Sequence, residues 1–139
     1  MFKDRKGLTV LQILIWVLIF GLLLGGFFLL LNKERSNSRD AKRVADMSRL
    51  QASFEMLYGE KGSYEEAVTG GCNKQGISVR TCKLSKYLTT ISSFKDPTGG
   101  EYVVSQVPSK NSYEITFSLE NDYDGLKAGR HTLTQDGIK

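Results

Sequence analysis

Apolar residues form one continuous stretch near the start of the chain, from Leu8 to Leu31. Within this stretch only Thr9 and Gln12 carry polar side chains, and there is no proline. As an α-helix the stretch would be about 36 Å long, enough to cross a hydrocarbon core of about 30 Å with a slight tilt. Because such a run is costly to leave in water, the pattern predicts a membrane-spanning helix.

The helical pattern continues beyond the apolar run and becomes amphipathic. Apolar residues recur at steps of three and four, and no glycine or proline follows Leu31 before Gly59. We therefore predict a single helix from about Leu8 to Tyr58, ended by Gly59 and Gly62. The apolar stripe consists of Val44, Met47, Leu50, Phe54, Leu57 and Tyr58. We expect this stripe to pack on a sheet of the same domain.

Two later segments, 101–107 and 112–119, alternate apolar and polar residues and are separated by a turn at 108–111. This alternation predicts a half-buried β-hairpin, and a third short strand is predicted at 130–134. The residues expected on the buried face of the second strand are Tyr113, Ile115, Phe117 and Leu119. Before the hairpin, residues 84–91 have the spacing of a short helix or turn. The predicted fold class is α+β, with a long N-terminal helix packed on a small antiparallel sheet.

The chain contains two cysteines, Cys72 and Cys82, in a polar, glycine-containing segment that is predicted to be a long loop. In a small extracytoplasmic domain such a pair is most often a disulfide, which is the pairing we predict. A zinc site would need two further ligands, and His131 is the only histidine.

The charged residues do not indicate a nucleic-acid groove. The net charge is +4, of which the first seven residues contribute two, and the remainder is dispersed. Residues 39–43 form a basic cluster that suggests DNA or lipid headgroups, but a solvated helix face just outside the membrane is the simpler interpretation.

No combination of residues predicts catalysis or a cofactor. The sequence has no nucleophile elbow, phosphate loop or histidine-rich metal motif, and we predict that the protein is not an enzyme. Asp122, Asp124 and Gly125 resemble part of a calcium loop. Without further acidic positions at loop spacing, a solvated turn is the better interpretation, and no metal site is predicted.

Basic residues and a glycine stand immediately before the apolar run: Lys3, Arg5, Lys6 and Gly7. A secretory signal would instead have a shorter apolar core followed by its cleavage site. The sequence Lys6-Gly7-Leu8-Thr9-Val10-Leu11-Gln12, followed by an apolar helix, resembles the type IV pilin and pseudopilin family with its type III signal.

This resemblance implies that a prepilin peptidase cuts after Gly7 and methylates the new N-terminus at Leu8. Residues 1–7 would then be the leader peptide, 8–31 the transmembrane and assembly helix, and 32–139 an extracytoplasmic pilin-like domain that includes the second half of the helix. The layout of such a domain is a lollipop, in which a long helix is followed by a loop and a sheet.

Two positions depart from the family pattern, because Leu8 replaces the usual Phe and Gln12 replaces the usual Glu. In the family, the Glu of one subunit is thought to neutralise the N-terminal amine of its neighbour. Gln12 accepts a hydrogen bond but cannot cancel that charge. The substitution favours a minor subunit, or one whose neighbours supply the acid. Gly21 and Gly25 form a Gly-x-x-x-Gly pair that would let helices approach closely during assembly.

The resemblance implies a structural subunit of a type IV pilus or pseudopilus-like filament. Its partners would be other pilin subunits, the prepilin peptidase, the assembly machinery and, before assembly, membrane lipid. The expected location is the cytoplasmic (inner) membrane, crossed once with the N-terminus inside, and afterwards an extracellular or periplasmic filament. Positive charge favours the cytoplasmic side of a membrane, and the apolar run is followed by at least as many cations as precede it. Charge alone would therefore predict the opposite orientation. The alternative is an uncleaved, single-pass anchor for an extracytoplasmic binding or signalling module.

Overall fold

A single helix, α1, spans Arg5–Lys61 in the computed structural model, which describes residues 5–69 and 71–139. The predicted helix from Leu8 to Tyr58 is confirmed, with three further residues at each end. Gly62 follows the helix in a left-handed conformation, with φ at 68°, and its N–H donates to the Tyr58 carbonyl oxygen at 2.7 Å. Gly59 lies within the helix, so Gly62 is the residue that ends it.

Four antiparallel strands form one sheet in the order β1-β2-β3-β4. Their bounds are Val103–Gln106 for β1, Glu114–Leu119 for β2, Gly129–Thr134 for β3 and Gly137–Ile138 for β4. The three predicted strands are confirmed, whereas β4 was not predicted. The predicted α+β fold class is therefore correct.

The chain divides into two compact units, which meet in sequence between Ser36 and Asn37. In the second unit, α1 and the sheet share one apolar core. Helix residues Met47, Leu50, Phe54 and Leu57 are buried in it. Of the four residues predicted on the buried face of the second strand, Ile115, Phe117 and Leu119 lie in β2, Tyr113 immediately precedes it, and all four are buried. Val44 is partly buried against this core, and Tyr58 is 37% exposed. The amphipathic part of α1 thus packs on the sheet, as its periodicity predicts.

The segment between α1 and β1 contains three short 3₁₀ helices, Glu65–Val68, Val79–Thr81 and Ile91–Ser93. The helical spacing in 84–91 corresponds to turns, one of which is closed by a hydrogen bond from Leu88 N–H to the Leu84 oxygen. The predicted disulfide between Cys72 and Cys82 is present.

The loop closed by the disulfide covers the outer edge of β1. Gly76 N–H donates to the Val104 oxygen at 2.7 Å, Val104 N–H to the Ile77 oxygen at 2.9 Å, and Val79 N–H to the Tyr102 oxygen at 2.9 Å. These bonds satisfy backbone groups that an open edge strand would leave unpaired. The disulfide therefore fastens a segment that completes the sheet.

Candidate membrane and assembly segment

From Val10 to Leu30, the apolar side chains of the first unit are turned outward. Between Val10 and Leu30 every large apolar side chain is exposed, from 39% for Ile19 to 73% for Leu29. This part of α1 is long and apolar enough to cross a membrane. Burying apolar surface is favourable by roughly 25 cal/mol per Å². Such a surface is therefore stable only when lipid or other helices cover it.

The three predicted assembly residues, Gln12, Gly21 and Gly25, lie on this exposed helix. The Gln12 side chain is exposed and has no hydrogen-bond partner among the residues that the structure describes. A Cβ atom added to Gly21 or Gly25 would meet nothing within 4 Å, so neither glycine is required for packing within the chain. At about 100° per residue, the two glycines share one side of the helix and Gln12 lies on the other.

The predicted processing site falls at the start of α1. The backbone of Gly7 and Leu8 lies in the helix, which begins at Arg5. Residues 1–4 of the predicted leader and the side chain of Leu8 lie outside the described residues. The predicted cleavage and methylation therefore remain predictions.

In the second unit, a group of charged residues joins α1 to two loops, with Asp40 and Arg43 buried and Arg39 and Glu120 about one third exposed, and we call it the Arg43 cluster. It consists of Arg39, Asp40, Arg43, Asp96 and Glu120. The Arg43 side chain is only 4% exposed and that of Asp40 is fully buried. Our expectation that residues 39–43 form a solvated helix face was wrong for these two residues. Arg43 points to the same side of the helix as the core residue Met47, one turn later.

Arg43 holds three carboxylates at once. Its Nε and Nη2 donate to the two oxygens of Asp96 at 2.6 and 2.8 Å, which is a bidentate pair. Its Nη1 donates to Asp40 and to Glu120, each at 2.7 Å. Since Asp96 precedes β1 and Glu120 follows β2, the arginine fixes both loops against α1.

Asp40 completes the cluster from the other side. Its carboxylate accepts the backbone N–H groups of Glu120 at 2.9 Å and Asn121 at 2.8 Å. Burial would raise the pKa of Asp40, but these bonds and the Arg43 guanidinium lower it below its ordinary value. Asp40 is therefore held in its ionised form, and its hydrogen bonds connect the end of β2 to the helix.

The other two carboxylates are also held in the ionised form. Burial would raise the pKa of Asp96, but hydrogen bonds from Arg43 and Thr98 lower it to about 2. The hydrogen bond from Arg39 to Glu120 is the main reason why the pKa of Glu120 is also about 2, and Arg43 adds to it. The hydrogen bond to Asp96 in turn raises the pKa of Arg43.

We expect these pKa values to make the second unit sensitive to acid. The ordinary values are 3.8 for Asp96 and 4.5 for Glu120, so both groups stabilise the fold fully above about pH 5. The free energy of unfolding should fall as the pH drops from about 4.5 to 2, because the unfolded chain takes up protons first. Urea unfolding at a series of pH values measures this. Asp96→Asn should make the acid dependence shallower, and an unchanged profile would contradict the assignment.

The suggested calcium loop is a tight turn. Asp124 and Gly125 both have positive φ, at 51° and 80°, and Tyr123 and Leu126 exchange backbone hydrogen bonds across the turn. Asp122 accepts hydrogen bonds from Lys127 Nζ at 2.6 Å and from Ala128 N–H at 2.9 Å. Within 5–69 and 71–139, no group of three or more His, Cys, Asp or Glu residues is arranged to hold a metal ion.

Comparison with models of known protein families, with curated proteins and with solved structures finds no match for this chain. The resemblance to pilins is therefore based on the residues from Lys6 to Gln12 and on the long helix that follows them.

Proposed function

We propose that the protein is a structural subunit of a type IV pilus or pseudopilus-like filament, held in the cytoplasmic membrane by α1 before assembly. The observation that carries this proposal is the exposure of every large apolar side chain between Val10 and Leu30 on a helix that could span a bilayer. The motif around Gly7 and the α+β fold of the second unit support it.

The same apolar surface serves both stages of the proposed function. In the membrane it contacts lipid tails, and in a filament it contacts the equivalent helices of neighbouring subunits. Because lipid tails and apolar side chains are similarly apolar, replacing lipid contacts by helix contacts changes the free energy little. How closely the helices pack then determines which state is more stable. Gly21 and Gly25 favour close helix contact in the assembled state. This balance allows a membrane anchor to be retained in an extracellular fibre.

The partners proposed for this function are other pilin subunits, a prepilin peptidase and the assembly machinery. The proposed orientation has the N-terminus in the cytoplasm and the disulfide-bonded unit outside, where a disulfide persists. An uncleaved anchor that displays a binding or signalling module is the alternative, and processing distinguishes the two.

Gly7→Ala should impair maturation, because the proposed cut falls directly after Gly7 and a Cβ there would crowd the cleaved bond. The expected product, measured by intact mass in the native host, retains residues 1–7 and lacks a methyl group on Leu8. Gly59→Ala is the matched control, since a Cβ there meets nothing within 4 Å. Normal processing of the Gly7→Ala chain would overturn the proposed leader.

Gln12→Glu should increase the amount of this subunit that enters sheared surface fibres. The new carboxylate would neutralise the N-terminal amine of a neighbouring subunit, which Gln12 cannot do. Gln75→Glu makes the same chemical change at an exposed loop position and serves as the control. Equal incorporation of both variants, at matched expression, would remove the proposed reason for a minor-subunit role.

A further inference from the structure

We propose that Lys33 and Arg35 bind the phosphate groups of anionic phospholipids, in the membrane leaflet on the side of the folded domain. This inference depends on the proposed function, because it requires that α1 crosses a membrane before assembly. It names the lipid class that the membrane-held subunit prefers.

The cations that follow the apolar segment fall into two groups. Arg39, Lys42 and Arg43 each pair with a carboxylate of the second unit, so their charge is already compensated. Lys33 and Arg35 are exposed and form no ion pair with any residue that the structure describes. From the sequence alone, residues 39–43 were the candidates for binding lipid headgroups. Because the cations of that segment are already paired with carboxylates, Lys33 and Arg35 are the better candidates.

The position of Lys33 and Arg35 along α1 matches the depth of the phosphates. The apolar run ends at Leu31, and a helix rises 1.5 Å per residue, so the two residues follow by about 3 and 6 Å. The polar headgroup layer adds about 5–8 Å to each side of the hydrocarbon core. The Cα atoms of both residues therefore lie at the depth of the headgroup layer.

Lys33 and Arg35 also point in different directions. Two residues apart on a helix, they are separated by about 200° around its axis. They would contact different lipids on opposite sides of the helix instead of competing for one phosphate. Glu34 lies between them in sequence, is exposed and carries the opposing charge. The segment thus retains a net positive charge that attracts anionic headgroups.

The test reconstitutes the full chain in phosphatidylcholine vesicles that contain a trace of spin-labelled phosphatidylglycerol or phosphatidylcholine. Electron paramagnetic resonance measures which labelled lipid is immobilised at the protein. At low salt we expect the unaltered chain to prefer phosphatidylglycerol, and Lys33→Gln/Arg35→Gln to lower that preference about fivefold. High salt should also lower it, because ions screen the attraction.

Three matched variants test whether the effect is specific. Lys74→Gln/Lys110→Gln removes the same charge from exposed lysines of the second unit that form no ion pair with a described residue, and it should leave the preference unchanged. Lys33→Arg/Arg35→Lys should retain it, and Glu34→Gln should raise it. Equal preference in the unaltered chain and in Lys33→Gln/Arg35→Gln would overturn the inference. Failure of the unaltered chain to float with the vesicles would instead overturn the membrane stage of the proposed function.

Discussion

Arg43→Met is expected to lower the free energy of unfolding by about 3 kcal/mol. The substitution keeps an unbranched apolar stem but removes the cation that compensates Asp40, Asp96 and Glu120. Asp40 is fully buried and would keep its charge without a compensating cation, or take up a proton. Removing one partner from a buried ion pair is costly for this reason. Urea unfolding of the full chain in detergent, followed by near-ultraviolet circular dichroism of its tyrosines, measures the loss.

Arg49→Met is the matched control for this prediction. Arg49 lies on the same helix, has an exposed side chain and forms no ion pair within the described residues. Its substitution should change the free energy of unfolding by less than about 0.5 kcal/mol. Arg43→Lys should also be destabilising, because an ammonium cannot form the bidentate pair with Asp96. Equal stability of the two methionine variants would show that the Arg43 cluster does not hold the loops on α1.

Phe54→Ala is expected to cost about 3–5 kcal/mol in the same unfolding experiment. Phe54 is fully buried and its ring stacks on that of Tyr113, which immediately precedes β2, with centroids 4.0 Å apart and planes 17° from parallel. Tyr64 packs against the same ring edge to face, at 6.0 Å. Truncation would leave a cavity between helix and sheet and would remove both aromatic contacts.

Met56→Ala is the control for Phe54→Ala, since Met56 lies two residues away on α1 and is 53% exposed. Its truncation should cost less than about 0.5 kcal/mol. Phe54→Leu keeps much of the volume and should cost less than Phe54→Ala. Equal costs for Phe54→Ala and Met56→Ala would contradict the packing of this helix face on the sheet.

The parts of the fold that local pattern determines were predicted from the sequence. The stripe from Met47 to Leu57 is buried because its spacing matches the helical repeat, and the residues of β2 are buried because they alternate. The disulfide was predicted because a cysteine pair in a small extracytoplasmic domain is most often bonded. In each case the signal lies within a few residues of the feature that it specifies.

The parts that depend on distant partners were not predicted. Arg43 is buried because Asp96 and Glu120, 53 and 77 residues later, surround its guanidinium. No pattern around residue 43 indicates these partners, and by periodicity alone the arginine was expected to be solvated. The strand β4 contains only two residues, Gly137–Ile138, which is too short for an alternation to appear.

The pairing of residues 76–79 with β1 was missed for a related reason. This segment follows a polar, glycine-containing stretch that is typical of loops, and its hydrogen bonds depend on a strand more than twenty residues later. For the assembly segment, by contrast, composition alone was sufficient. The apolar run predicts a membrane-spanning helix, and the exposure of its large apolar side chains between Val10 and Leu30 agrees with that prediction.

The most direct test of the central claim is the intact mass of this chain recovered from sheared surface fibres of the native host. The proposed filament subunit predicts a chain that begins at Leu8, contains the disulfide and carries one added methyl group. Recovery of the chain only from the membrane, beginning at Met1 and without a methyl group, would contradict it.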